Sequence, residues 1–586
     1  MPLAVVRRRS SADHNPNSVG LSSLQQTLDK LNGDKARHEQ LVGDLATRMA
    51  MRRGSVKQIV EEHKSMSFHQ SGYVFMKTLG TGRHGTMKLA KKKTSPHVKH
   101  VKASPVLQRS TTAVSHFVAV RVISRCEVRG RGQGQELLST KESHAVLLRH
   151  VEALRSMDHP NIQREIETFE DAQHIYIVME LYTGGDLLEK ENDPLPEGRA
   201  AWCINQICSA VAHAHGKGIV HQDLRPDNVH YATTSEDARL VVTDWACVEY
   251  VKTPSKESRK HLIFTEYSAP ELDPHQRSDR SDMWSIGVMA FALLTFALPF
   301  GDHGPREKPA DFGWHESDPV VSEECKDFIQ RLLKIDPATR MSAQDALAHP
   351  WLAQARENRR GDRRRSLSAP LASSVMKFKD SSVLHRTAAA LCVDHLSGQK
   401  LYELTQQFNL LDKDGDGMIE KADMVEALRN TLEVERPRAE TDESIEELTE
   451  DIEELLKDKT QVTALVNLMD TDGDGKISYS DFLAAAGDVC ISDCTALCWE
   501  AFRAFDRDGN GTISRKEIHD LLDTPIMDEV LAKTKAARVN DREKQDLIDA
   551  FQELGGMQTV DEMFNEADGN HHNRLSFEEF MKMVMH

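Results

Sequence analysis

The pattern of apolar and polar residues predicts a folded body that begins near residue 73. Apolar and polar side chains alternate at 73–80 (YVFMKTLG) and again at 85–90 (GTMKLA), on either side of a Gly-containing turn. Such period-two alternation predicts a β-hairpin. The longest apolar run, VMAFALLTFALPF at 288–300, is too short to span a bilayer and predicts a buried helix. An amphipathic helical pattern returns at 374–411.

Three segments lack a regular pattern of apolar residues. Residues 1–72 are polar and basic, and we expect a solvated extension there. Residues 91–112 are basic, rich in Ser and Thr and without an apolar period, which predicts a loop insertion. Residues 357–374 (ENRRGDRRRSLSAPLASS) have the composition of a linker. The predicted division is an extension at 1–72, a folded domain at 73–352, a linker and further helix at 353–400, and a C-terminal domain at 401–586.

Charge is distributed unevenly along the 586 residues. Residues 391–586 contain 45 acidic and 20 basic residues, whereas residues 1–390 are mildly basic. Such an acidic tail indicates cation binding or a basic partner segment. The 9 cysteines include no CxxC pair, which indicates a reduced, cytoplasmic protein. We expect no nucleic-acid partner, and no lipid anchor because residue 2 is not Gly.

Four segments of the acidic tail repeat one metal-binding pattern. They are DKDGDGMIEKAD at 412, DTDGDGKISYSD at 470, DRDGNGTISRKE at 506 and DGNHHNRLSFEE at 568. The EF-hand loop supplies oxygen ligands to Ca²⁺ from alternate positions and from a carboxylate at its end, with Gly for the sharp turn. The predicted ligands are Asp412, Asp414, Asp416, Met418 and Asp423 in loop 1; Asp470, Asp472, Asp474, Lys476 and Asp481 in loop 2; Asp506, Asp508, Asn510, Thr512 and Glu517 in loop 3; and Asp568, Asn570 and Glu579 in loop 4.

The four loops differ in ligand quality. Loop 3 is the most complete. Loops 1 and 2 end in Asp423 and Asp481, whose short side chains reach an ion less easily in bidentate fashion. Loop 4 has His572 as a poor ligand and Asn573 where Gly belongs, although Asn tolerates the left-handed conformation. We therefore expect loop 4 to be weak or empty.

A second set of motifs predicts phosphate chemistry. The segment LGTGRHG at 79–85 has a G-x-G-x-x-G pattern, which alone is shared with dinucleotide sites. The motifs that follow are HQDLRPDN at 221–228, TDWA at 243–246, APE at 269–271, DMWSIGV at 282–288 and DPATR at 336–340. Their order matches the protein-kinase signatures. Glu271 is expected to pair with Arg340.

From 73 to 586 the chain resembles the calcium-dependent protein kinases, in which a kinase domain, a junction helix and a calmodulin-like domain share one polypeptide. FKDSSVLHRTAAALCVDHLSGQKL at 378–401 resembles the junction. The resemblance implies an α+β two-lobed protein-kinase fold followed by an all-α EF-hand domain. It implies a junction that restrains the active site until Ca²⁺ binds, and the cofactors ATP, Mg²⁺ and Ca²⁺. It also implies a protein substrate with arginine upstream of Ser or Thr, received by Asp186 and Asp227.

The resemblance assigns roles residue by residue. Asp223 matches the catalytic aspartate that orients the substrate hydroxyl, and Asn228 and Asp244 match the Mg²⁺ ligands. The positions matched to nucleotide binding are Leu79, Gly80, Gly82, Gly85, Met87, Ala119, Arg121, Met179 as gatekeeper and Glu180 in the hinge.

Several positions depart from the family pattern. Arg121 stands where a strand lysine grips the phosphates, and His150 stands at the matching glutamate, so we expect Arg121 to lack an anionic partner. Lys88 cannot substitute, because strand alternation points it away from the nucleotide. Gln222 and Ala246 replace the usual arginine and glycine.

Three functions remain open. The chain is a Ca²⁺-regulated Ser/Thr kinase with impaired transfer, a Ca²⁺-switched pseudokinase that acts by binding, or a Ca²⁺ buffer. The kinase motifs and the junction argue against the buffer.

Overall fold

The structure is a computed structural model of the chain. It describes residues 72–82, 85–92, 117–124, 153–154, 156–171, 173–189, 193–245, 249–250, 265–271, 278–301, 312, 314, 320–360, 365–381, 383–393, 396, 398–439, 441–470, 474–487, 495–506, 508–522, 564, 568 and 572–585. Residues 1–71 of the predicted extension, residues 93–112 of the predicted insertion, His150 and Ala246 lie outside the described residues.

A five-stranded antiparallel sheet forms the small lobe. Its strands are β1 (Tyr73–Gly82), β2 (Gly85–Lys92), β3 (Phe117–Ser124), β4 (Glu165–Glu170) and β5 (His174–Met179). Their order in the sheet is β1-β2-β3-β5-β4, so β1 and β2 are the predicted hairpin. At the turn, Gly85 has φ 108, and a Cβ there would overlap the carbonyl oxygen of Val122. Only glycine lets β2 approach β3 this closely.

The two faces of this sheet bury different side chains. One face carries a cluster that includes Tyr73, Val120 and Tyr176. Ile177 and Met179 pack on the other face, together with Met87. The ammonium group of Lys88 lies 4.6 Å from the centre of the Phe75 ring, on the first face. The prediction that Lys88 points away from the nucleotide side is therefore confirmed.

The large lobe is mostly helical. Its elements are α1 (Glu197–Gly216), β6 (Ile219–Val220), β7 (Val229–Tyr231), β8 (Leu240–Val242), β9 (Glu249–Tyr250), α2 (Asp279–Thr295), α3 (Glu323–Leu332), α4 (Ala343–Ala348) and α5 (Pro350–Arg360). Strand β6 pairs with β9, and β7 pairs with β8. Helices α1 and α2 each supply a large share of the core. The two-lobed α+β arrangement predicted from sequence is confirmed.

Helix α2 contains most of the apolar run predicted as a buried helix. It begins after Ser278, whose hydroxyl accepts the N–H of Arg280. It ends at Thr295, because Phe296 adopts a left-handed φ of 54 and Pro299 follows. The predicted helix is thus confirmed to residue 295, and 296–300 is not helical. Among the described residues, no helix combines the length and the apolarity needed to cross a membrane.

The linker predicted at 357–374 is wrong at both ends. Helix α5 continues to Arg360 and therefore spans the predicted 352/353 boundary, because Ala355 and Arg356 are buried. The next helix, α6 (Ala369–Asp380), begins within the predicted linker and before residue 374. Its small and hydroxyl-bearing residues resemble a linker in composition, but Leu371 and Val375 are buried against the C-terminal part of the chain.

The C-terminal part consists of short helices and two small strand pairs. Its elements are α7 (Val383–Val393), α8 (Gly398–Leu411), β10 (Ile419–Glu420), α9 (Lys421–Ala439), α10 (Glu443–Lys457), α11 (Lys459–Met469), β11 (Lys476–Ile477), α12 (Tyr479–Ala486), α13 (Thr495–Phe505), β12 (Ile513–Ser514), α14 (Arg515–Leu522), β13 (Arg574–Leu575) and α15 (Phe577–Met585). Strand β10 pairs with β11, and β12 pairs with β13. The loops therefore associate as 1 with 2 and 3 with 4.

The predicted junction is buried in this C-terminal part. Val375 and Phe378 of α6, and Ala388 and Cys392 of α7, belong to one continuous core with the EF-hand helices. The far end of the junction contacts the small lobe, because the Arg164 guanidinium donates to the carbonyl oxygens of Val393 at 3.0 Å and Leu396 at 2.5 Å. The described junction residues thus join the EF-hand core to the start of β4.

The kinase body contacts the first EF-hand pair at its ion-binding loops. Asp158 accepts hydrogen bonds from the hydroxyl of Ser478 at 2.8 Å and from the N–H of Ser480 at 2.8 Å. Its other oxygen accepts the hydroxyl of Ser480 at 2.7 Å. Ser478 caps the N-terminus of α12, where a negative charge is favourable. The ring of His159 lies against Gly417 in loop 1, at a position where any Cβ would overlap it.

Asp158→Ala is expected to loosen α12. Because hydrogen bonds to a charged group contribute about 1.5–3 kcal/mol, amide exchange in α12 of the Ca²⁺-loaded full chain should rise about tenfold or more. Hydrogen exchange measured by mass spectrometry checks this, with Asp193→Ala, an exposed change on the same lobe, as the control. Unchanged protection of α12 in Asp158→Ala would contradict the contact.

Gly85→Ala and Gly80→Ala form a matched pair for the small lobe. A Cβ at Gly85 meets the Val122 backbone at a positive φ, whereas a Cβ at Gly80 meets no atom within 4 Å among the described residues. A strained backbone together with an overlap costs about 3 kcal/mol, so the kinase unfolding transition should fall by about 5 °C or more for Gly85→Ala. Scanning calorimetry should show no comparable shift for Gly80→Ala, and equal shifts would refute this explanation.

Candidate functional site

The segment that carries Asp223 and Asn228 is held by backbone hydrogen bonds. The Asn228 side-chain amide donates to the carbonyl oxygen of Asp223 at 2.7 Å. The N–H of Thr243 donates to the carbonyl oxygen of Asn228 at 2.8 Å, which ties this segment to the end of β8. The Asp223 side chain is largely buried, at 16% exposure. The predicted catalytic and metal-ligand positions are therefore neighbours in space.

Asp282 anchors this segment from beneath. Its carboxylate, 1% exposed, accepts the N–H groups of His221 and Gln222, each at 2.8 Å. Burial alone would raise the pKa of Asp282, but hydrogen bonding and charge from His215, with His221, lower it below its ordinary value. The buried carboxylate thus stays ionised. It holds Gln222 at a positive φ of 68, a backbone conformation that non-glycine residues rarely adopt.

Trp245 fills the space behind this loop. It is 1% exposed, and its indole N–H donates to the carbonyl oxygen of Val242 at 2.9 Å. Its ring centre lies 4.7 Å from that of His221, whose Nε2 in turn contacts the carbonyl oxygen of Thr243 at 2.9 Å. The residue after Asp244 is therefore fixed in the core of the large lobe.

Strand register brings the predicted nucleotide residues together. Across β2 and β3, Met87 lies opposite Arg121, and across β3 and β5, Ala119 lies opposite Met179. Directly opposite residues of antiparallel strands share a face. Met87, Ala119, Arg121 and Met179 therefore line one face of the sheet. Leu79 lies at an irregularity of β1, 43% exposed, beside the glycine turn.

Arg121 has an anionic partner, so the expectation that it lacks one is wrong. Its guanidinium donates to a carboxylate oxygen of Asp244 at 2.6 Å. The two side chains are 12% and 27% exposed. Local sequence pattern gave the face on which Arg121 lies, but not the residue it meets 123 positions later. Arg121 thus pairs with a residue predicted to bind Mg²⁺.

The buried pair between Glu271 and Arg340 is confirmed. The guanidinium donates to both carboxylate oxygens, at 2.9 and 3.1 Å. It also lies 5.1 Å from the centre of the Trp284 ring. This arrangement fixes the APE segment to α2, because the hydroxyl of Ser281 donates to the same carboxylate at 2.9 Å.

Loops 1 and 3 gather the carboxylates that Ca²⁺ requires. One oxygen from each of Asp412, Asp414 and Asp416 lies within 4.8 Å of the others, as do oxygens of Asp506, Asp508 and Glu517. In loop 1, burial and the nearby Asp416 raise the pKa of Asp412 to about 8, the effect expected of carboxylates gathered for a cation. The residues of both loops fit Ca²⁺.

Loops 2 and 4 keep the loop backbone. In each, the first aspartate accepts the N–H of the residue at the sharp turn at 2.8 Å, Asp470 from Gly475 and Asp568 from Asn573. Asn573 has φ 58, which confirms that Asn adopts the left-handed conformation there. Asp472 and Asn570 lie outside the described residues. The weakness expected of loop 4 remains a prediction.

Lys476 has a contact that its place in the loop pattern does not reveal. It is one of the predicted ligands of loop 2. Its ammonium group reaches across the β10–β11 pair and lies 2.8 Å from Asp416 of loop 1. A basic side chain therefore lies at the edge of the loop 1 carboxylates.

Comparison with known proteins agrees with this geometry. Residues 133–352 match the protein kinase domain family, and residues 401–487 and 497–585 match the EF-hand domain pair family. The chain is 26% identical over 467 residues to calcium-dependent protein kinase 5 of Plasmodium falciparum, covering 78% of this chain and 73% of that protein. It is 29% identical over 422 residues to calcium-dependent protein kinase 4 of the same organism, covering 69% and 75%. The Plasmodium berghei calcium-dependent protein kinase 4 is 28% identical over 422 residues, covering 69% of this chain and 75% of that protein.

The chain has the architecture of the calcium-dependent protein kinase family. A protein kinase domain uses ATP and Mg²⁺, and EF-hands bind Ca²⁺. The residues predicted to bind the nucleotide share one sheet face, and a Cβ at Gly80 would meet no described atom within 4 Å. The Mg²⁺ position fits less well, because Asp244 is already paired with Arg121. Asn228 keeps an amide oxygen as a possible ligand.

Two residues of this kinase site were missed from sequence. Gln163 accepts the N–H of Asp244 at 3.0 Å, and its amide nitrogen contacts the sulfur of Met179. It thus links the gatekeeper to the predicted Mg²⁺ ligand. Arg225 lies 3.8 Å from Asp223 and 3.6 Å from Asp227. The motif HQDLRPDN contains Arg225, so its position next to Asp223 was a usable signal.

Glu517→Gln should weaken the Ca²⁺ response more than Glu579→Gln. Glu517 lies with Asp506 and Asp508 in the most complete loop, and removal of its charge takes away a bidentate ligand. Calorimetric Ca²⁺ titration of both full-length variants checks the ranking. A larger loss in Glu579→Gln would overturn the order of loop strengths.

Proposed function

We propose that this calcium-dependent kinase acts on Ser or Thr of proteins with slow or lost phosphoryl transfer. The observation that carries the proposal is the 2.6 Å ion pair between Arg121 and Asp244. In a working kinase the residue at position 121 holds phosphates while the aspartate holds Mg²⁺. Here the two residues form an ion pair with each other instead.

The chain keeps the residues that the transfer itself needs. Mg²⁺-ATP, when bound, supplies the phosphoryl group. Asp223 accepts the proton of the substrate hydroxyl while that oxygen bonds to the γ-phosphorus, and the bond from this phosphorus to the bridging oxygen breaks so that ADP leaves. Asp282 accepts the backbone N–H groups of His221 and Gln222, which keeps the adjacent Asp223 in place. Arg225, beside Asp223, is placed to meet negative charge there.

We expect the positioning of ATP to be the impaired step. Arg121 is larger than lysine, forked and permanently charged, so exchange between the two is not conservative. To reach the phosphates its guanidinium must leave Asp244. A displacement of the reacting atoms by about 1 Å can cost about 10²-fold in rate.

Acidic side chains beside the cleft support a substrate with arginine upstream of the Ser or Thr. Asp227 is 62% exposed in its side chain. Asp186 accepts the N–H groups of Leu188 and Glu189 at 3.1 and 2.7 Å, which fixes one of its oxygens. Charged acceptors at fixed positions suit the planar fork of arginine.

Regulation by Ca²⁺ is supported by the position of the junction. Helices α6 and α7 share a core with the EF-hand helices, so a change in that core alters where the junction lies. A buffer does not need such a segment. We further propose a cytoplasmic protein, since the cysteines that the structure describes, Cys203, Cys208, Cys325, Cys392 and Cys498, are free thiols.

A second candidate is a Ca²⁺-switched pseudokinase that acts by binding a partner. The same ion pair favours it. Gln222, in place of the usual arginine, also removes a basic receiver for a phosphorylated activation segment.

Turnover of ATP with an arginine-containing peptide, with and without Ca²⁺, separates the two. We expect the wild type to be slower than the roughly 1–100 per second usual for kinases. Arg121→Lys combined with His150→Glu rebuilds the lysine–glutamate pair and should raise the Ca²⁺-stimulated initial rate by about tenfold or more. Each single change should not.

Asp223→Asn in the double-variant background is the control and should abolish the gain. A wild type that already turns over at ordinary kinase rates would refute impaired transfer. A double variant that binds ATP and stays inert would favour the pseudokinase and place the fault outside the Arg121 contact.

A further inference from the structure

We propose that Arg121 replaces part of the charge of Mg²⁺, so that this chain binds ATP with little dependence on a divalent cation. The inference rests on the proposed function, since it assumes that the cleft binds ATP. It concerns the affinity for the nucleotide and the metal, whereas the proposed function concerns the rate of transfer.

The pair between Arg121 and Asp244 neutralises the charge that would attract Mg²⁺. A distance of 2.6 Å between the guanidinium nitrogen and the carboxylate oxygen is short even for a charge-assisted hydrogen bond. Both side chains are largely shielded from water, which strengthens their attraction. A cation that binds Asp244 must therefore displace the guanidinium or share the carboxylate with it.

Asp244 has little freedom to move away from Arg121. Its backbone N–H is held by the amide oxygen of Gln163 at 3.0 Å, and its φ is 61. Trp245, directly after it, is 1% exposed. Mg²⁺ demands nearly ideal octahedral geometry and loses its water reluctantly. A carboxylate fixed against an arginine is a poor partner for such an ion.

Arg121 is equally fixed, and on the nucleotide side. Its strand neighbours are Met87 on β2 and Ile177 on β5, on the face that also carries Met179. A guanidinium has five N–H groups, so one bond to Asp244 leaves donors that can meet phosphate oxygens. Arginine binds phosphate in bidentate fashion and remains charged at every physiological pH.

The sequence at position 150 explains why this arrangement differs from an ordinary kinase. There the strand lysine is neutralised by the αC glutamate, and the metal-binding aspartate keeps its charge for Mg²⁺. His150 supplies no such carboxylate in this chain. Arg121 instead takes its negative partner from Asp244, and Asn228 offers only a neutral oxygen.

The test measures the affinity of the full-length protein for ATP, by calorimetry, with and without millimolar Mg²⁺. Free Ca²⁺ is buffered at about 10 μM in both arms, which loads sensor EF-hands while leaving most ATP free of metal. For the wild type we expect the dissociation constant to differ by less than about 3-fold between the arms, which is less than about 0.7 kcal/mol. Arg121→Lys combined with His150→Glu frees Asp244 and should make the difference about 10-fold or more.

Asp244→Asn provides the matched control. In the wild-type background it should leave the ATP dissociation constants with and without Mg²⁺ within about 3-fold of each other, because Asp244 contributes little to metal binding there. In the Lys–Glu background it should lower the affinity for ATP in Mg²⁺ by about 10-fold or more, because Asp244 then binds the metal. Arg121→Ala should lose the metal-independent binding.

The outcomes separate the two proposals. Tight ATP binding by the wild type only when Mg²⁺ is present overturns this inference and leaves the proposed function standing. Absence of ATP binding in both arms overturns the kinase proposal itself. If the double variant fails to fold, as judged by its thermal unfolding, the wild-type and Asp244→Asn measurements still decide.

Discussion

The ion pair between Arg121 and Asp244 is the constraint on which the cleft depends. It joins a strand of the small lobe to a residue of the large lobe that follows 123 positions later. Gln163 adds a second polar contact to Asp244, through the backbone N–H of that residue. Because a buried charge left without its partner is costly, any ligand that separates the pair must replace both halves. The contact between Arg121 and Asp244 therefore limits which ligands the cleft can bind.

One short segment connects this cleft to the Ca²⁺-binding part of the chain. Asp158 and His159 contact loops 2 and 1, whereas Gln163 holds Asp244 and Arg164 holds the end of the junction. Between them, Asn161 accepts the N–H of Val242 and is itself fixed by Gln206 and Leu240. Residues 158–164 thus contact loop 1, loop 2, the end of the junction and Asp244 of the cleft. Coupling between the cleft and the EF-hand loops would therefore need no long pathway, because one short segment contacts both.

Sequence reasoning succeeded where the signal was local. Strand alternation placed Met87 and Lys88 on opposite faces, and loop spacing placed the carboxylates of loops 1 and 3. It failed where the partner is remote. Asp158 meets Ser478 across 320 positions, and no periodicity encodes that encounter. The linker prediction failed for a related reason. Helix α6 is stabilised by burial of its apolar side chains against residues later in the chain, and its own composition does not show this.

The contact between His159 and Gly417 changes how substitutions in loop 1 are to be understood. Gly417 is the sharp-turn glycine of a Ca²⁺ loop and also the surface on which a kinase side chain rests, with no room for a Cβ. A substitution of Gly417 therefore disturbs two properties at once: ion coordination by loop 1, and the contact between the kinase domain and loop 1. A genetic or engineering experiment that disables loop 1 at this glycine therefore cannot report on calcium alone. A change at Asp414, whose carboxylate accepts the N–H of Asp416 and not that of Gly417, separates the two properties.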